Sequence, residues 1–451
     1  MSTTVLAAPP RFRGRMPLLR FLRTLRDSWV ATYGEEMFEQ AIVERRVLWQ
    51  RYLIVSAPRG IQRVLLDNAA NYVKSRVARR LVEPGIGRGL LTSEGEVWRR
   101  QRRIMAPSFD HRSLVSYAPV MTEATATVLA RWDDLAGGAT LDIAVEMMRL
   151  TLKIIARTMF SADAEDVGPI VEGAVGRYQR EVRPGLLDLL NLPDWWPRPS
   201  TRPWSQIFDR LDAVIDRLMT RDLAATGETK DLLARLLEAR DAETGQGMDP
   251  REVRDQVVTI FMAGHETTAQ ALTWTWYLLS QHAAQEEKFH AELDRVLGGR
   301  APRSEDLAQL RYTRMVLEES MRLYPPAHTM SREALAEDEI EGHRVAKGTV
   351  VSIVPWLLHR HRLLWDRPEV FDPERFAPER ASARPRFAYI PFGGGPRICI
   401  GAGFAMTEAL IILAMLGQRY RPRLAPGAAI EPVGLITLRP RHGLPMILER
   451  R

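Results

Sequence analysis

The chain has 451 residues, 45% hydrophobic and 26% charged, the mixture of an ordinary globular enzyme with enough apolar material to enclose a large cofactor. Its single cysteine excludes a disulfide framework and suits a reducing compartment. A net charge of +7 admits nucleic acid, a membrane surface or an acidic protein as partner, but no basic stretch carries interleaved aromatics or a nucleic-acid motif, so nucleic acid is set aside.

Residues 5–8 are too few for a secretory h-region and Pro9-Pro10 interrupts them, while no run of ~20 apolar residues offers a membrane anchor. A cytoplasmic protein is expected. Residues 16–30 set Leu18, Leu19, Phe21, Leu22, Leu25 and Trp29 among Arg20, Arg23 and Arg26, an amphipathic helix that packs on the body or touches a membrane surface. Residues 47–56 read as a strand, and Pro58 opens a short helix ending near Asn68. From 98 to 324 the periodicity is almost wholly helical, with proline-rich breaks at 191–203 and at Pro325-Pro326. β-Branched residues return at 345–354, and a loop rich in Pro, Asp and Arg runs over 359–396. A helix over 402–420 and short strands at 434–438 and 445–448 complete the chain. The pattern predicts one mainly α domain over residues 1–451 with a small β-rich lobe.

Four clusters carry chemistry. Asp249-Pro-Arg-Glu252 has the cap, first-turn proline and capping-box partner of a helix start, and the pattern continues to about His282, roughly 50 Å at ~1.5 Å per residue. In its middle, Ala263-Gly-His-Glu-Thr-Thr268 breaks the rules for a buried helix centre, which points to function. Thr267 is placed to bond the Ala263 carbonyl, and Gly264 to let a ligand approach the backbone. Glu319 and Arg322 share a helix face within an apolar run and need a third partner to offset burial, for which Arg375 is the candidate. Trp98 and Arg102, also on one helix face, suit a carboxylate. Finally, Cys399 lies in Phe392-Gly-Gly-Gly-Pro-Arg-Ile-Cys-Ile-Gly401 at a helix start, where backbone N–H groups favour a thiolate. A buried structural cysteine is the plainer reading of such a residue.

The spacing of Phe392, Gly395, Arg397, Cys399 and Gly401 resembles the haem-binding loop of cytochrome P-450 enzymes, and the other three clusters follow in that family's order over nearly the whole chain. The resemblance is to soluble, bacterial-type members. It implies a cytochrome P-450 fold with the long helix over haem b, whose iron is bound by Cys399 and whose propionates meet Trp98, Arg102, Arg332 and Arg397. It implies that Ala263 and Gly264 border the haem, that Thr267 hydrogen-bonds dioxygen, that Glu266 relays protons, and that Glu319, Arg322 and Arg375 brace the cysteine loop. The expected reaction inserts one oxygen atom from O2 into an apolar substrate held by Phe261, Ala263, Ala327, Met330 and Ile436, with His328 the polar neighbour. Residues 77–91 and 181–204 add walls, the aromatic stretch 193–197 lies at the entrance, and Arg79 or Arg183 is placed to anchor a carboxylate there. A peroxide-driven peroxygenase is the main alternative; it predicts loss of the Glu266–Thr267 pair. A haem-thiolate isomerase or dehydratase and a haem sensor are the others. Electrons are expected from a separate ferredoxin or flavodoxin with its reductase, docking on Arg99, Arg100, Arg103 and Arg112 of a monomer.

Overall fold

The computed structural model describes residues 6–135, 137–161, 186–190 and 231–451, with isolated positions 173, 213 and 216 between them. The first helix, α1 (Leu18–Asp27), packs on the body: Leu25 is buried, and Phe21 and Leu22 join it beside Val47 and Val77, while Leu18 and Leu19 stay exposed. The next apolar stretch is a hairpin, β1 (Ile42–Val47) and β2 (Gln50–Val55), rather than the single strand expected over 47–56. Leu48, at a φ of 53°, and Trp49 form its turn. Bulky apolar residues are poor turn formers, so the sequence pattern runs straight through the reversal.

β3 (Tyr72–Lys74) leads into α2 (Arg76–Ile86) and α3 (Gly95–Met105), followed by the longer α4 (Ile143–Phe160) and α5 (Pro250–Gln281). α5 begins with the expected capping box: Asp249 Oδ1 accepts from the Glu252 N–H at 2.9 Å and Glu252 Oε2 from the Asp249 N–H at 3.1 Å. Its second half is buried on nearly all sides, and the Trp274 ring stacks on Tyr324 at 4.1 Å.

α6 (Arg311–Leu323) carries the ion-pair core. Arg322 donates from Nε and Nη2 to Glu319 at 2.6 and 2.8 Å, from Nη1 to the carbonyls of His359 and Pro368, both at 2.8 Å, and from Nη2 to Val370 at 3.1 Å. All five guanidinium N–H groups are thus used. Arg375 completes the cluster, its Nε 3.4 Å from Glu319.

β4 (Met330–Ala334) and β5 (Val350–Ile353) close a sheet in the order β1-β2-β5-β4-β3, antiparallel except for the parallel β2–β5 pair. α7 (Ala402–Arg419) follows the cysteine loop. The last hairpin is β6 (Pro432–Gly434) and β7 (Leu438–Pro440), so the strand expected over 434–438 is their turn. Gly434 and Leu438 are its closing pair; Leu435, Ile436 and Thr437 have strand-like side chains but lie at the tip, where Leu435 and Ile436 border the site. No described helix is long and apolar enough to cross a membrane.

Candidate active site: a cysteine facing a deep cavity

The loop before α7 is built around backbone constraints. The Phe392 carbonyl accepts the Cys399 N–H at 2.9 Å. Gly395 has a φ of +65°, and a Cβ there would lie 1.7 Å from the Leu65 carbonyl oxygen, so only glycine fits. Gly401 differs: its φ is −87° and a Cβ would meet no protein atom within 4 Å. The space beside it belongs to the cavity, as does the face of Cys399 that is exposed. Cys399 has an open surface although it lies deep in the chain, because that surface is cavity wall. Burial pushes its thiol pKa up, opposed by the Gly401 N–H and by Arg102.

The cavity encloses about 880 Å³, near the top of the roughly 300–1,000 Å³ range of ligand sites. One face of α5 forms a wall, with Ile260, Ala263, Gly264, Thr267, Thr268 and Ala271 at helical spacing. Thr267 Oγ1 donates to the Ala263 carbonyl at 2.8 Å, leaving its lone pairs available. One expectation for this helix is corrected and two others are placed. Phe261 does not line the cavity; one position round from Ile260, it is buried with Ile86, Met105 and Leu152. Glu266, expected to relay protons, lies buried off the wall and accepts from Thr437 Oγ1 in the β6–β7 turn. Gly264 does line it, but a Cβ there would sit 2.4 Å from Ile155 Cδ1, so the glycine is needed for the packing of α5 on α4.

The structure brings Trp98, Arg102, Arg332, Arg397 and Phe392 to the same cavity. The Arg397 guanidinium lies over the Trp98 ring at 4.4 Å and pairs with Glu94 through Nη2, while its buried Nη1 has no hydrogen-bond partner among the described residues. Arg332 is pushed down to about 10, first by burial and then by Arg397. Opposite it across β3–β4 stands Lys74, whose Nζ donates to the Leu90 and Ser93 carbonyls, both at 2.8 Å. Burial pushes Lys74 down to about 7; Glu94 opposes this, and Arg397, Arg332 and Arg79 add to it. So many cations beside one carboxylate favour anionic ligands. Carboxylates of a macrocycle held against Cys399 meet that requirement, and with the open flank of Gly401 the residues fit haem.

Lys74 was not singled out from the sequence: a lysine in a three-residue strand carries no pattern. Glu408 was also missed, although it is the only charged residue in the run from 402 to 417. It is wholly buried on α7 in contact with Thr268, and burial pushes it up to about 8.

On the remaining walls the structure places Ala327, Met330, Ile436 and His328, together with Val77, Ala78, Arg79, Val82, Leu90 and Leu91. Arg79 lies 3.7 Å from Glu83. Arg183, the stretch 193–197 and most of 181–204 lie outside the described residues; Leu189 reaches the cavity. The four arginines expected to form a docking face are unequal. Arg100 is paired with Glu252 at 2.7 Å and Arg103 with Asp241 at 2.8 Å, Arg99 lies 3.0 Å from Glu96, and Arg112 is exposed.

Comparison with known proteins decides what this geometry belongs to. The family model described as Cytochrome P450 matches residues 27–439. The chain belongs to the cytochrome P450 family. This cytochrome P450 is 38% identical over 402 residues to "Cyclooctatin synthase" of Streptomyces melanosporofaciens, covering 87% of this chain and 85% of that one. It is 37% identical over 400 residues to "Cyclooctat-9-en-7-ol 5-monooxygenase" of the same organism, covering 86% and 84%. It is 34% identical over 358 residues to "Pentalenene oxygenase" of Streptomyces avermitilis, covering 78% of each chain. The mainly α fold with small sheets is that of a cytochrome P450, and the protein is a cytochrome P450 monooxygenase. Such an enzyme binds haem through a cysteine thiolate, and Cys399 is the only cysteine in the chain.

Proposed function

We propose that this cytochrome P450 hydroxylates a medium-sized apolar molecule of terpenoid type, with electrons from a separate ferredoxin or flavodoxin. The observation that carries the substrate class is the division of the cavity. Cations gather where Trp98, Arg102, Arg332, Arg397 and Lys74 meet, whereas Ala263, Ala327, Met330 and Ile436 offer apolar surface. Each Å² of apolar surface removed from water contributes about 25 cal/mol, and unpaired charge there is strongly disfavoured. Two of the polar groups on this side, His328 and Tyr33, are neutral: burial pushes His328 down to about 4 and Tyr33 up to about 12. Relatives named for oxygenation of pentalenene and of an alkenol support the same class.

Haem iron held by a thiolate supplies O–O bond cleavage and oxygen insertion when bound. The chain's own residues do the rest. Arg102, Arg332, Arg397 and Trp98, joined by Lys74, would hold the haem propionates on the side of the cavity where Cys399 would bind the iron. Thr267 Oγ1, its own proton given to the Ala263 carbonyl, offers acceptor lone pairs at the cavity wall that orient a proton delivered there. Glu266, next in the chain and hydrogen-bonded to Thr437, is the buried carboxyl that supplies it. The apolar walls exclude water, which protects coupling of oxygen use to product. With Arg100 and Arg103 engaged in part-buried ion pairs, Arg112 and the exposed Arg99, whose partner Glu96 is exposed too, are the cations placed to steer an acidic electron donor. The test is oxygen uptake against product formed, with sesquiterpene and diterpene hydrocarbons and alcohols as substrates. Stoichiometric product supports the reading. Turnover with hydrogen peroxide alone and none with a reductase chain would favour the peroxygenase.

A further inference from the structure

A short polar chain on the cavity wall has a direction that hydrogen-bond counting fixes. His328 Nε2 lies 2.8 Å from the Leu435 carbonyl oxygen. A carbonyl can only accept, so Nε2 carries the hydrogen. The imidazole is buried and neutral, which leaves Nδ1 with a lone pair. Thr329 Oγ1, 3.0 Å from Nδ1, must therefore donate to it. That spends the only proton of Thr329, so Tyr33 Oη, 3.2 Å from Thr329 Oγ1, donates in its turn. The Tyr33 oxygen has given its hydrogen away and keeps its acceptor lone pairs, and Tyr33, His328 and Thr329 all line the cavity.

The arrangement is pinned. Trp29 meets the His328 ring edge-on at 6.2 Å, and a Cβ at Gly434 would stand 3.1 Å from Nε2. Gly434 thus lets the hairpin tip bring the Leu435 carbonyl to the imidazole. Among the other wall hydroxyls, Thr32 donates to the Trp29 carbonyl at 2.6 Å, Thr158 to Ile154 at 2.8 Å, and Ser331 pairs with Ser352 at 3.2 Å, whereas Thr259, on α5, has no hydrogen-bond partner among the described residues.

We propose that Tyr33 is a hydroxyl subsite: its phenol oxygen accepts a hydrogen bond from an alcohol on the substrate, so the enzyme selects an alcohol over the ketone of the same skeleton. A ketone brings only an acceptor and, at Tyr33, finds only an acceptor. The proposal rests on the apolar-substrate reading above and narrows it to a molecule already oxygenated once, which makes the supplying reaction a hydroxylation or a cyclisation that captures water.

The test titrates the haem-loaded enzyme with cyclododecanol, cyclododecanone and cyclododecane and reads the low- to high-spin Soret shift. A neutral hydrogen bond in a dry site gives on the order of tenfold. The alcohol is expected to bind about tenfold more tightly than the ketone, and Tyr33→Phe to bring that ratio below about twofold with the alkane unchanged. Thr329→Val gives a second, opposite signature: it releases the Tyr33 proton, so ketone binding should strengthen. Equal binding of alcohol and ketone to the wild type, a preference that survives Tyr33→Phe, or no ketone gain in Thr329→Val would overturn the subsite. Failure of all three compounds to bind would instead remove the apolar-substrate reading. The subsite would then be decided without ligand by nitrogen NMR of His328 in the ferrous carbonyl form, where a proton on Nδ1 would overturn it.

Discussion

Replacing Arg322 by lysine keeps the charge beside Glu319 and removes the fork. The guanidinium makes five hydrogen bonds, two to Glu319 and three to the carbonyls of His359, Pro368 and Val370. An ammonium has three donors, so at least two buried acceptors lose their partner. Both side chains of the pair are fully buried, so water does not restore what is lost. At roughly 1–3 kcal/mol for each acceptor left bare, the change costs on the order of 3–5 kcal/mol, the range found when buried pairs are broken. An unfolding entropy of about 2.1 cal/mol/K per residue gives about 0.95 kcal/mol/K for a chain of this length, so Tm should fall by about 3–5 °C. Differential scanning calorimetry of the haem-loaded protein, wild type and Arg322→Lys at one scan rate, measures this directly. If charge alone held the cluster, the loss would stay below about 1 kcal/mol, the scale of an ordinary ion pair. A Tm within 1 °C of the wild type would therefore refute the reasoning from donor count.

Three other substitutions test the site. Cys399→Ser should abolish the strongly red-shifted Soret band of the reduced carbon monoxide complex, and persistence of that band would remove the thiolate assignment, since the chain has no second cysteine. Thr267→Ala should still bind substrate and consume oxygen, but release most reducing equivalents as hydrogen peroxide; unchanged product yield per NADH would place the group that directs protonation elsewhere. Glu408 has a folded pKa of about 8 against an ordinary 4.5, so the folded state holds the proton more tightly and stability falls as pH rises through that interval. Glu408→Gln should flatten the decline in Tm between pH 5 and 8, and identical slopes for the two proteins would show that Glu408 does not carry a buried proton.

Much of the site was legible because its parts are local. The capping box fixes where α5 starts, and from there the 3.6-residue repeat places Ala263 and Thr267 on one wall. The repeat does not say which neighbouring face meets the cavity, and that is why Phe261 was misplaced and the partner of Glu266 was not foreseen. Both depend on what packs from outside α5: the Ile86–Met105 cluster for one, Thr437 for the other. The cysteine loop was readable from its glycines, yet their reasons differ. Gly395 answers to Leu65, far away in sequence, and Gly401 to the cavity. Lys74 and Tyr33 become site residues only through strand pairing and the fold of the N-terminal segment, and no spacing rule joins positions 33, 74, 329 and 332. The hairpin turns at 48–49 and 435–437 were hidden because turn chemistry is absent there; closure is imposed by the partner strands.

The contact between Gly264 and Ile155 bears on how this enzyme can diversify. The atom that a Cβ at 264 would strike is the terminal methyl of an isoleucine, the most easily moved or deleted part of that side chain. Neither position is free alone, but the two are exchangeable together: alanine at 264 becomes admissible once 155 is shortened to valine. The volume lost on α4 is then regained on α5, where position 264 borders the cavity. Such a paired change would shift a methyl group from α4 to α5 at a point where both positions border the cavity, a route to new selectivity that leaves the cysteine loop and its bracing cluster untouched.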